Sequence, residues 1–356
     1  MFNKTTRIID FTGHNIYVGL DVHAKSWAIS VYSDDFELKS FTQPPSTEQL
    51  YNYLSKHYPG AGVHVAYEAG FCGFSIHRDL IQRGIKCSVL NPADIPTSNK
   101  EDKRKTDRID SRKIAKALKN GDVYTVFVPD AQQEADRQIL RSRAKIVKDI
   151  IVVKNRIKGF LKFKGIVVPD QYHDRWSRAF IAWMRELPLL QSDQIALAVY
   201  VDELVFLTEK KKSLQTAIIN LAAEDRYRDN VKLLKSVPSI GLLAAMTILT
   251  EVGDINRFPK LEHLCSYCGL TPDTHSSGEN ERVTGMSRRG NSTVKTILIE
   301  CAWMAMRKDP AMLLFYKRLV PGMHANKAII KVARKLLNRI RYVLKNKKEY
   351  VVGIVE

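Results

Sequence analysis

The sequence predicts a mixed α/β domain at the N-terminus, a helical coiled coil in the middle and a mostly α-helical C-terminal domain. Up to Leu90, short β-branched segments alternate with turn residues, which is typical of strands. After Pro129, apolar residues recur at spacings of four and three, which indicates helices that pack side by side. A chain of 356 residues can form two or three domains with separate cores, and we divide it into residues 1–129, 130–228 and 229–356.

The N-terminal domain is predicted to contain a five-stranded sheet. The segments with strand character are residues 15–21, 27–32, 36–41, 63–68 and 85–90. Helices are expected after the third strand, capped by Ser46, and over residues 74–83. Three antiparallel strands followed by alternating helix and strand give a mixed sheet covered by helices.

Acidic residues mark the ends of two of these strands. Asp21 closes the first strand and Glu68 the fourth, where a charge beside an apolar segment needs a partner. Asp107 and Asp110 are three residues apart on a predicted helix and project from the same side of it. The alternative for this pair is a solvated helix of mixed charge, because six basic residues surround it: Lys103, Arg104, Lys105, Arg108, Arg112 and Lys113.

Strands one and four are neighbours in a ribonuclease-H-type sheet, and a later helix crosses it. We therefore expect the four carboxylates to meet and to hold one or two Mg²⁺ ions, which stabilise the oxygens that enter and leave a scissile phosphate. His23, two residues after Asp21, is either a contact to metal-bound substrate or a hydrogen-bonding neighbour.

The middle of the chain has the apolar spacing of a coiled coil. The predicted seam consists of Ile146, Ile150, Val153, Ile157 and Phe160. A second helix is expected over about residues 192–225, with Pro169 and Pro188 in the connection. We predict an antiparallel helical hairpin that also dimerises; the alternative is an isolated amphipathic bundle.

Two C-terminal segments have features of nucleic-acid binding. Leu233 to Ala245 resembles a helix-hairpin-helix, which points backbone N–H groups at a phosphate, although Ser239 stands where the first Gly is usual. The last helix, residues 325–348, has a basic side without an acidic residue, which favours contact with phosphates by residues such as Lys331 and Lys335.

A serine turn is the second candidate centre. Ser276 and Ser277 precede Gly278 and lie near Arg282, Arg288 and Arg289, so a serine in this flexible loop could attack a phosphoryl group while guanidiniums stabilise the transition state. The alternative is a plain turn. A possible zinc set, His263, Cys265, Cys268 and His275, contains a single Cys-x-x-Cys in an apolar helix. We therefore expect core cysteines and not zinc.

The charge balance indicates a polyanionic partner. The chain has 56 Lys and Arg residues against 38 Asp and Glu, a net charge of +18, and nucleic acid is the commonest such partner. No apolar run is long enough to span a bilayer, and residues 1–10 lack the apolar stretch of a signal peptide. Five cysteines, an odd number, indicate reduced thiols and a cytoplasmic location.

Blocks at both ends of the chain resemble known motifs. The N-terminal blocks are Tyr17 to His23, Tyr67 to Gly70 and Lys105 to Asp110, and the C-terminal block runs from Leu270 to Ala302. In this order, with a helical spacer, they resemble the DEDD-type insertion-sequence transposases, the group that includes the Piv DNA invertase. Glu279 departs from the pattern, because a second Gly is usual there.

The resemblance implies a RuvC-like domain that binds Mg²⁺ through the four carboxylates, and a serine that attacks DNA to give a covalent phosphoserine link. We take Ser277 as that serine and Ser276 as the alternate. It also implies a structured noncoding guide RNA, a dimer or a tetramer on DNA, and a prokaryotic, nucleoid-associated setting. The residues expected to contact nucleic acid are Lys105, Arg108, Arg112, Arg282, Arg288, Arg289, Asn291, Lys331 and Lys335.

Two other functions fit parts of the sequence. In a RuvC-like nuclease or junction resolvase, metal-activated water cuts DNA without a covalent intermediate, and the serine is only structural. A non-catalytic RNA-binding scaffold explains the positive charge but gives no reason for four acidic residues in a basic, phosphate-binding surface.

Overall fold

The structure is a computed structural model that describes residues 10–95, 106–172, 175–277, 280–287 and 289–352, with backbone alone for 273–277 and 280–284. The chain forms two compact units that meet in sequence between Val128 and Pro129. The further division of the second unit at residues 228/229 stays a prediction.

The first unit contains the predicted mixed sheet. Its strands are β1 (Asn15–Val22), β2 (Trp27–Tyr32), β3 (Glu37–Gln43), β4 (Gly62–Glu68) and β5 (Lys86–Leu90). They are ordered β3-β2-β1-β4-β5. β1, β2 and β3 pair antiparallel, whereas β4 and β5 run parallel to β1. The prediction that strands one and four are neighbours is thus confirmed.

Helices cover this sheet. The helix α1 (Thr47–His57) begins at the predicted cap, since Ser46 Oγ accepts a hydrogen bond from the Gln49 amide, and α2 (Ser75–Gln82) precedes β5. The helix α3 (Asp107–Asn120) crosses β1 so closely that a Cβ at Gly19 would collide with the Ser111 carbonyl and the Ala115 amide. Glycine is therefore required at residue 19 for this packing.

The core of the first unit lies around the central strands. Ile16, Val18 and Leu20 of β1 and Val65 and Tyr67 of β4 are fully buried. Each such aliphatic side chain stabilises the fold by about 1.5–3 kcal/mol relative to exposure. Because β1 and β4 are held in this way, the residues at their carboxyl ends have fixed positions.

The second unit begins with two long antiparallel helices. These are α4 (Ala131–Phe163) and α6 (Gln191–Ala223), and the short α5 (Arg178–Arg185) lies in their connection. Ile150, Val153 and Ile157 of α4 pack in one core cluster with residues of α6 that include Leu197 and Val201. The hairpin has the predicted helices and direction, whereas true coiled-coil packing stays a prediction.

The rest of this unit is mostly helical. Its helices are α7 (Arg228–Lys235), α8 (Leu242–Val252), α9 (Leu261–Tyr267), α10 (Ser292–Lys308), α11 (Pro310–Leu319) and α12 (Ala325–Asn346). Between α7 and α8, Ser239 has a φ of 83°, a left-handed conformation that favours glycine. Ser239 therefore has a backbone conformation in which glycine is usual, while the helix-hairpin-helix assignment and a phosphate contact there stay predictions.

The serine segment was predicted to be a flexible loop, but the structure shows two strands there instead. It forms an antiparallel hairpin of β6 (Pro272–Ser277) and β7 (Asn280–Met286). The polar composition and the glycines concealed the two short strands. Residues 278–279, which lie between the strands in sequence, are outside the described residues.

Candidate active site

Two acidic residues lie at the carboxyl ends of adjacent parallel strands. Leu20 of β1 pairs with Tyr67 of β4, so the next residues, Asp21 and Glu68, stand side by side in sequence register. The side chain of Asp21 is 21% exposed, and Glu68 is half-buried. The predicted meeting of these two strand ends is therefore present in the backbone.

The helix α3 adds Asp107 and Asp110 from its first turn. Carboxylates are favourable there because the N-terminus of a helix carries partial positive charge. The Asp110 carboxylate pairs with Lys113 Nζ at 3.3 Å. Asp107 is more exposed, at 64% of its side chain, and faces the end of β1.

An imidazole lies between the two elements. His23 Nε2 is 3.1 Å from Asp21 Oδ2 and 3.4 Å from Asp107 Oδ1. Ligand atoms of these three residues all lie within 4.8 Å of one another, a group to which neither Glu68 nor Asp110 belongs. His23 is thus a hydrogen-bonding neighbour of Asp21, one of its two predicted roles, and the sequence analysis did not include it among the ligands.

The electrostatics of the cluster favour a cation. Burial raises the pKa of the Asp21 carboxyl above its ordinary value; His23 opposes this shift, and the charges of Asp107 and Asp110 add to it. Negative charge that repels negative charge in a half-buried place is relieved by a bound positive ion. Two carboxylates and one imidazole within reach of a single ion fit a divalent metal, although the full four-carboxylate ligand set stays a prediction.

The basic residues beside this cluster have different surroundings. The Arg112 guanidinium donates to the Glu37 carboxylate at 2.9 Å, and Glu37 also accepts from the hydroxyls of Tyr32 and Ser40. Arg112 therefore ties α3 to β3, a structural role that the sequence analysis did not foresee. Arg108 is exposed and lines a cleft of about 560 Å³ with Asp107, while Lys105 lies outside the described residues.

The second candidate centre lies on the β6–β7 hairpin. Ser276 pairs with Glu281 and Ser277 with Asn280, so the two serines are the last two residues of β6. The side chain of Arg282 and all of Arg288 are outside the described residues, whereas Arg289 is exposed.

Asn291, predicted to contact nucleic acid, has a structural role. Its Oδ1 accepts hydrogen bonds from the amides of Thr293 and Val294 and so caps α10, while its Nδ2 donates to Glu251 Oε2 at 2.8 Å. Glu251 is fully buried and binds Arg141 through both carboxylate oxygens. No motif in the sequence links these residues, because Arg141 and Glu251 are 110 positions apart.

The basic side of α12 has no acidic residue of its own, as predicted, but one of its arginines pairs with an acid from outside the helix. Arg339 pairs with the buried Asp309, which caps α11, and Lys335 Nζ lies 4.3 Å above the Phe315 ring. This acid comes from the N-cap of α11, so the sequence of α12 alone does not indicate the pairing. Lys331 is exposed, as a phosphate contact requires.

Comparison with known proteins covers both units. Residues 18–165 match the family model DEDD_Tnp_IS110, described as a transposase, and residues 231–317 match that of the transposase IS116/IS110/IS902 family. The chain belongs to the IS110/IS116 family of DEDD transposases. Its first family match spans Asp21, Glu68, Asp107 and Asp110, which gives the first unit a RuvC-like fold.

Individual relatives of this transposase family agree. The putative transposase y4qE of Sinorhizobium fredii is 31% identical over 68% of the chain, and the match spans 58% of that relative. The transposase for insertion sequence element IS1111A of Coxiella burnetii is 27% identical over 79% of the chain and 78% of the relative. The transposase for insertion sequence element IS1533 of Leptospira borgpetersenii is 29% identical over 67% of the chain and 70% of the relative.

Family membership supports some finer predictions better than others. RuvC-like DEDD domains typically use divalent metals, in agreement with the cluster at Asp21. The comparisons support the metal-dependent nuclease, our alternative, better than the covalent serine mechanism, and they do not support a guide RNA or a relationship to Piv.

Other predicted features concern the thiols and the membrane. Cys265 and Cys268 are fully buried in the hydrophobic core, and burial raises the pKa of Cys268 to about 12, which opposes the thiolate that zinc requires. The side chain of His275 is not described. Across the described residues, none of the helices has the length and apolar character to cross a bilayer.

Proposed function

We propose that this chain is an insertion-sequence transposase whose first unit cuts DNA at a divalent-metal centre held by Asp21 and Asp107, with Glu68 and Asp110 completing it. The convergence of the Asp21 and Asp107 carboxylates on His23 carries the proposal, because these groups come from β1 and from a helix packed across it. A bound divalent ion would neutralise the scissile phosphate and lower the pKa of an attacking water.

The chain's own residues position the reaction. Asp21 stands on a central strand, and Gly19 lets α3 bring Asp107 to it. Arg108 lines the cleft beside Asp107, where a guanidinium would pair with a DNA phosphate. These positions support a path for the DNA backbone through the cleft beside Asp21 and Asp107.

The test is cleavage of DNA that carries the element's ends, with Mg²⁺ or Mn²⁺. Asp21→Asn and Asp107→Asn keep the side-chain shape and remove the charge, so we expect each to lose activity by about 100-fold or more. Asp35→Asn, at an exposed turn of the same unit, is the control and should cleave like the wild type. Unchanged cleavage in Asp21→Asn would refute the proposed centre.

We further propose a covalent step at the hairpin, with Ser277 as nucleophile and Ser276 as the alternate. The position of both serines at the end of β6, inside the second family match, supports it. The serine oxygen would bond to phosphorus as the bond to a deoxyribose oxygen breaks; the serine proton leaves and the deoxyribose oxygen gains a proton.

Trapping the protein on DNA separates the two mechanisms. A DNA-linked band that disappears in Ser277→Ala and in Asp21→Asn would support a two-part centre, and loss in Ser276→Ala alone would move the nucleophile by one residue. Cleaved ends without any adduct, unaffected by either serine variant, would leave the metal-dependent nuclease.

We also propose that the active form is a dimer or tetramer that uses a structured noncoding guide RNA. The net charge of +18 supports binding of more than one nucleic acid. Exposed apolar residues along the long hairpin, Ile151, Val199 and Phe206 among them, support association between copies. Light scattering with and without DNA measures the association between copies, and DNA cleavage with and without the flanking transcript measures the use of the RNA. A monomer whose cleavage does not depend on the transcript would refute both points.

A further inference from the structure

His23 is held beside Asp21 and Asp107 by the turn that follows β1. Its backbone amide donates to the Ser26 carbonyl at 3.1 Å, which closes the turn between β1 and β2. The imidazole is half-exposed, at 49% of the side chain, and a single nitrogen, Nε2, faces Asp21 and Asp107. One nitrogen therefore points at two carboxylates that come from different elements.

The distances match those between ligands of one metal ion. Neighbouring ligands in an octahedral site with bonds of about 2.1 Å lie about 3.0 Å apart. His23 Nε2 is 3.1 Å from the Asp21 oxygen and 3.4 Å from the Asp107 oxygen. Three donor atoms within 4.8 Å of one another can contact a common ion with small side-chain adjustments.

We propose that His23 is itself a ligand of the metal centre and that its imidazole biases the centre toward Mn²⁺ over Mg²⁺. The inference rests on the proposed metal function of Asp21 and Asp107 and goes beyond it in ligand and metal. Mg²⁺ prefers oxygen ligands and retains its waters, whereas imidazole nitrogen suits transition metals. A ligand set of two carboxylates and one imidazole therefore gains more from Mn²⁺.

Partial exposure of the set leaves room for substrate. Asp107 and His23 have 64% and 49% of their side chains exposed, so the three side chains leave part of the candidate site open to solvent. Water or phosphate oxygens would reach a bound ion from this open part, as an open catalytic site requires. His23 thus holds the ion without blocking DNA.

The experiment measures metal binding on the full chain without DNA. Mn²⁺ and Mg²⁺ are titrated by calorimetry, and the Mn²⁺ complex is examined by pulsed electron paramagnetic resonance for coupling to a coordinated imidazole nitrogen. The variants are His23→Gln, Asp21→Asn and, as the matched control, His14→Gln. His14 is an exposed histidine that precedes β1, as His23 follows it.

We expect wild type and His14→Gln to show the nitrogen coupling and to bind Mn²⁺ more tightly than Mg²⁺. His23→Gln should lose the coupling and bind Mn²⁺ about 10- to 100-fold more weakly, with a smaller loss for Mg²⁺. Mn²⁺ bound at Asp21 without nitrogen coupling, or equal losses for both ions, would overturn the role of His23 and leave the metal centre intact. Absence of binding in the wild type, or binding unaffected by Asp21→Asn, would instead overturn the proposed centre.

Discussion

Arg141 donates two hydrogen bonds, at 2.7 and 2.9 Å, to the carboxylate of Glu251, a residue with no exposed surface. This pair joins the long helix α4 to α8. The same carboxylate accepts from Asn291, the cap of α10, so it connects the hairpin to the helix that follows the serine segment. Arg137 approaches it at 3.4 Å and shares the buried charge.

The Arg141–Glu251 pair is expected to contribute strongly to the stability of the second unit. Removal of one partner of a buried pair leaves a charge without compensation and costs about 3–5 kcal/mol. Since Arg141 is 40% exposed and Arg137 remains, we expect a loss of about 2–3 kcal/mol in Arg141→Met. Urea unfolding followed by circular dichroism measures it.

The matched control is Arg156→Met on the same helix. Arg156 pairs with Glu203 at 3.5 Å on an exposed surface, where such pairs contribute about 0–1 kcal/mol. Equal losses in Arg141→Met and Arg156→Met would contradict a special role of the buried pair.

The close approach of α3 to β1 makes Gly19 critical for the metal site. In Gly19→Ala the new Cβ meets backbone atoms of Ser111 and Ala115, which cannot rotate away. We expect a loss of about 1–3 kcal/mol in stability and weaker Mn²⁺ binding, because α3 moves and carries Asp107 with it. Gly159→Ala, in the exposed part of α4 with no atom near the new Cβ, should be neutral or slightly stabilising. Metal binding at wild-type affinity in Gly19→Ala would show that α3 does not set the site.

The first unit was predictable because local patterns determine it. Strand periodicity located β1 to β5 within a few residues, and the end of an apolar strand marked Asp21. By contrast, the contact of His23 with Asp107 depends on how α3 crosses the sheet, which no spacing encodes. The pairing of Arg339 with Asp309 was missed for the same reason, since long-range partners leave no periodic pattern.

Burial of His64 predicts a dependence of stability on pH. His64 lies in β4 between Tyr17 of β1 and Lys86 of β5, and its Nε2 is 2.8 Å from Ser88 Oγ. Burial, assisted by Lys86, lowers the pKa of the imidazole from 6.5 to about 4.

Between these two values the unfolded chain binds a proton that the folded chain does not, so stability falls as the pH drops from 6.5 to about 4. We expect this histidine to account for about 1–2 kcal/mol of the fall, allowing for its partial exposure. His64→Gln should flatten the profile of unfolding free energy against pH in that range. The control is His57→Gln, which replaces an exposed histidine of α1 and should leave the profile unchanged. A profile of unchanged slope in His64→Gln would assign the dependence to other groups.

The basic residues of α12 should separate into two kinds. Lys331 is exposed, whereas Arg339 is engaged with buried Asp309, which also accepts from the Tyr350 hydroxyl at 2.9 Å. Lys331→Gln should leave unfolding unchanged, weaken binding to duplex DNA, and reduce the slope of log affinity against log salt by about 1, because one phosphate contact is lost. Arg339→Gln should instead lower the free energy of unfolding by about 3 kcal/mol, since Asp309 keeps its charge in a buried place. If Lys331→Gln bound DNA with unchanged affinity and salt dependence, Lys331 would not contact DNA. The DNA contacts would then have to lie on surfaces other than this side of α12.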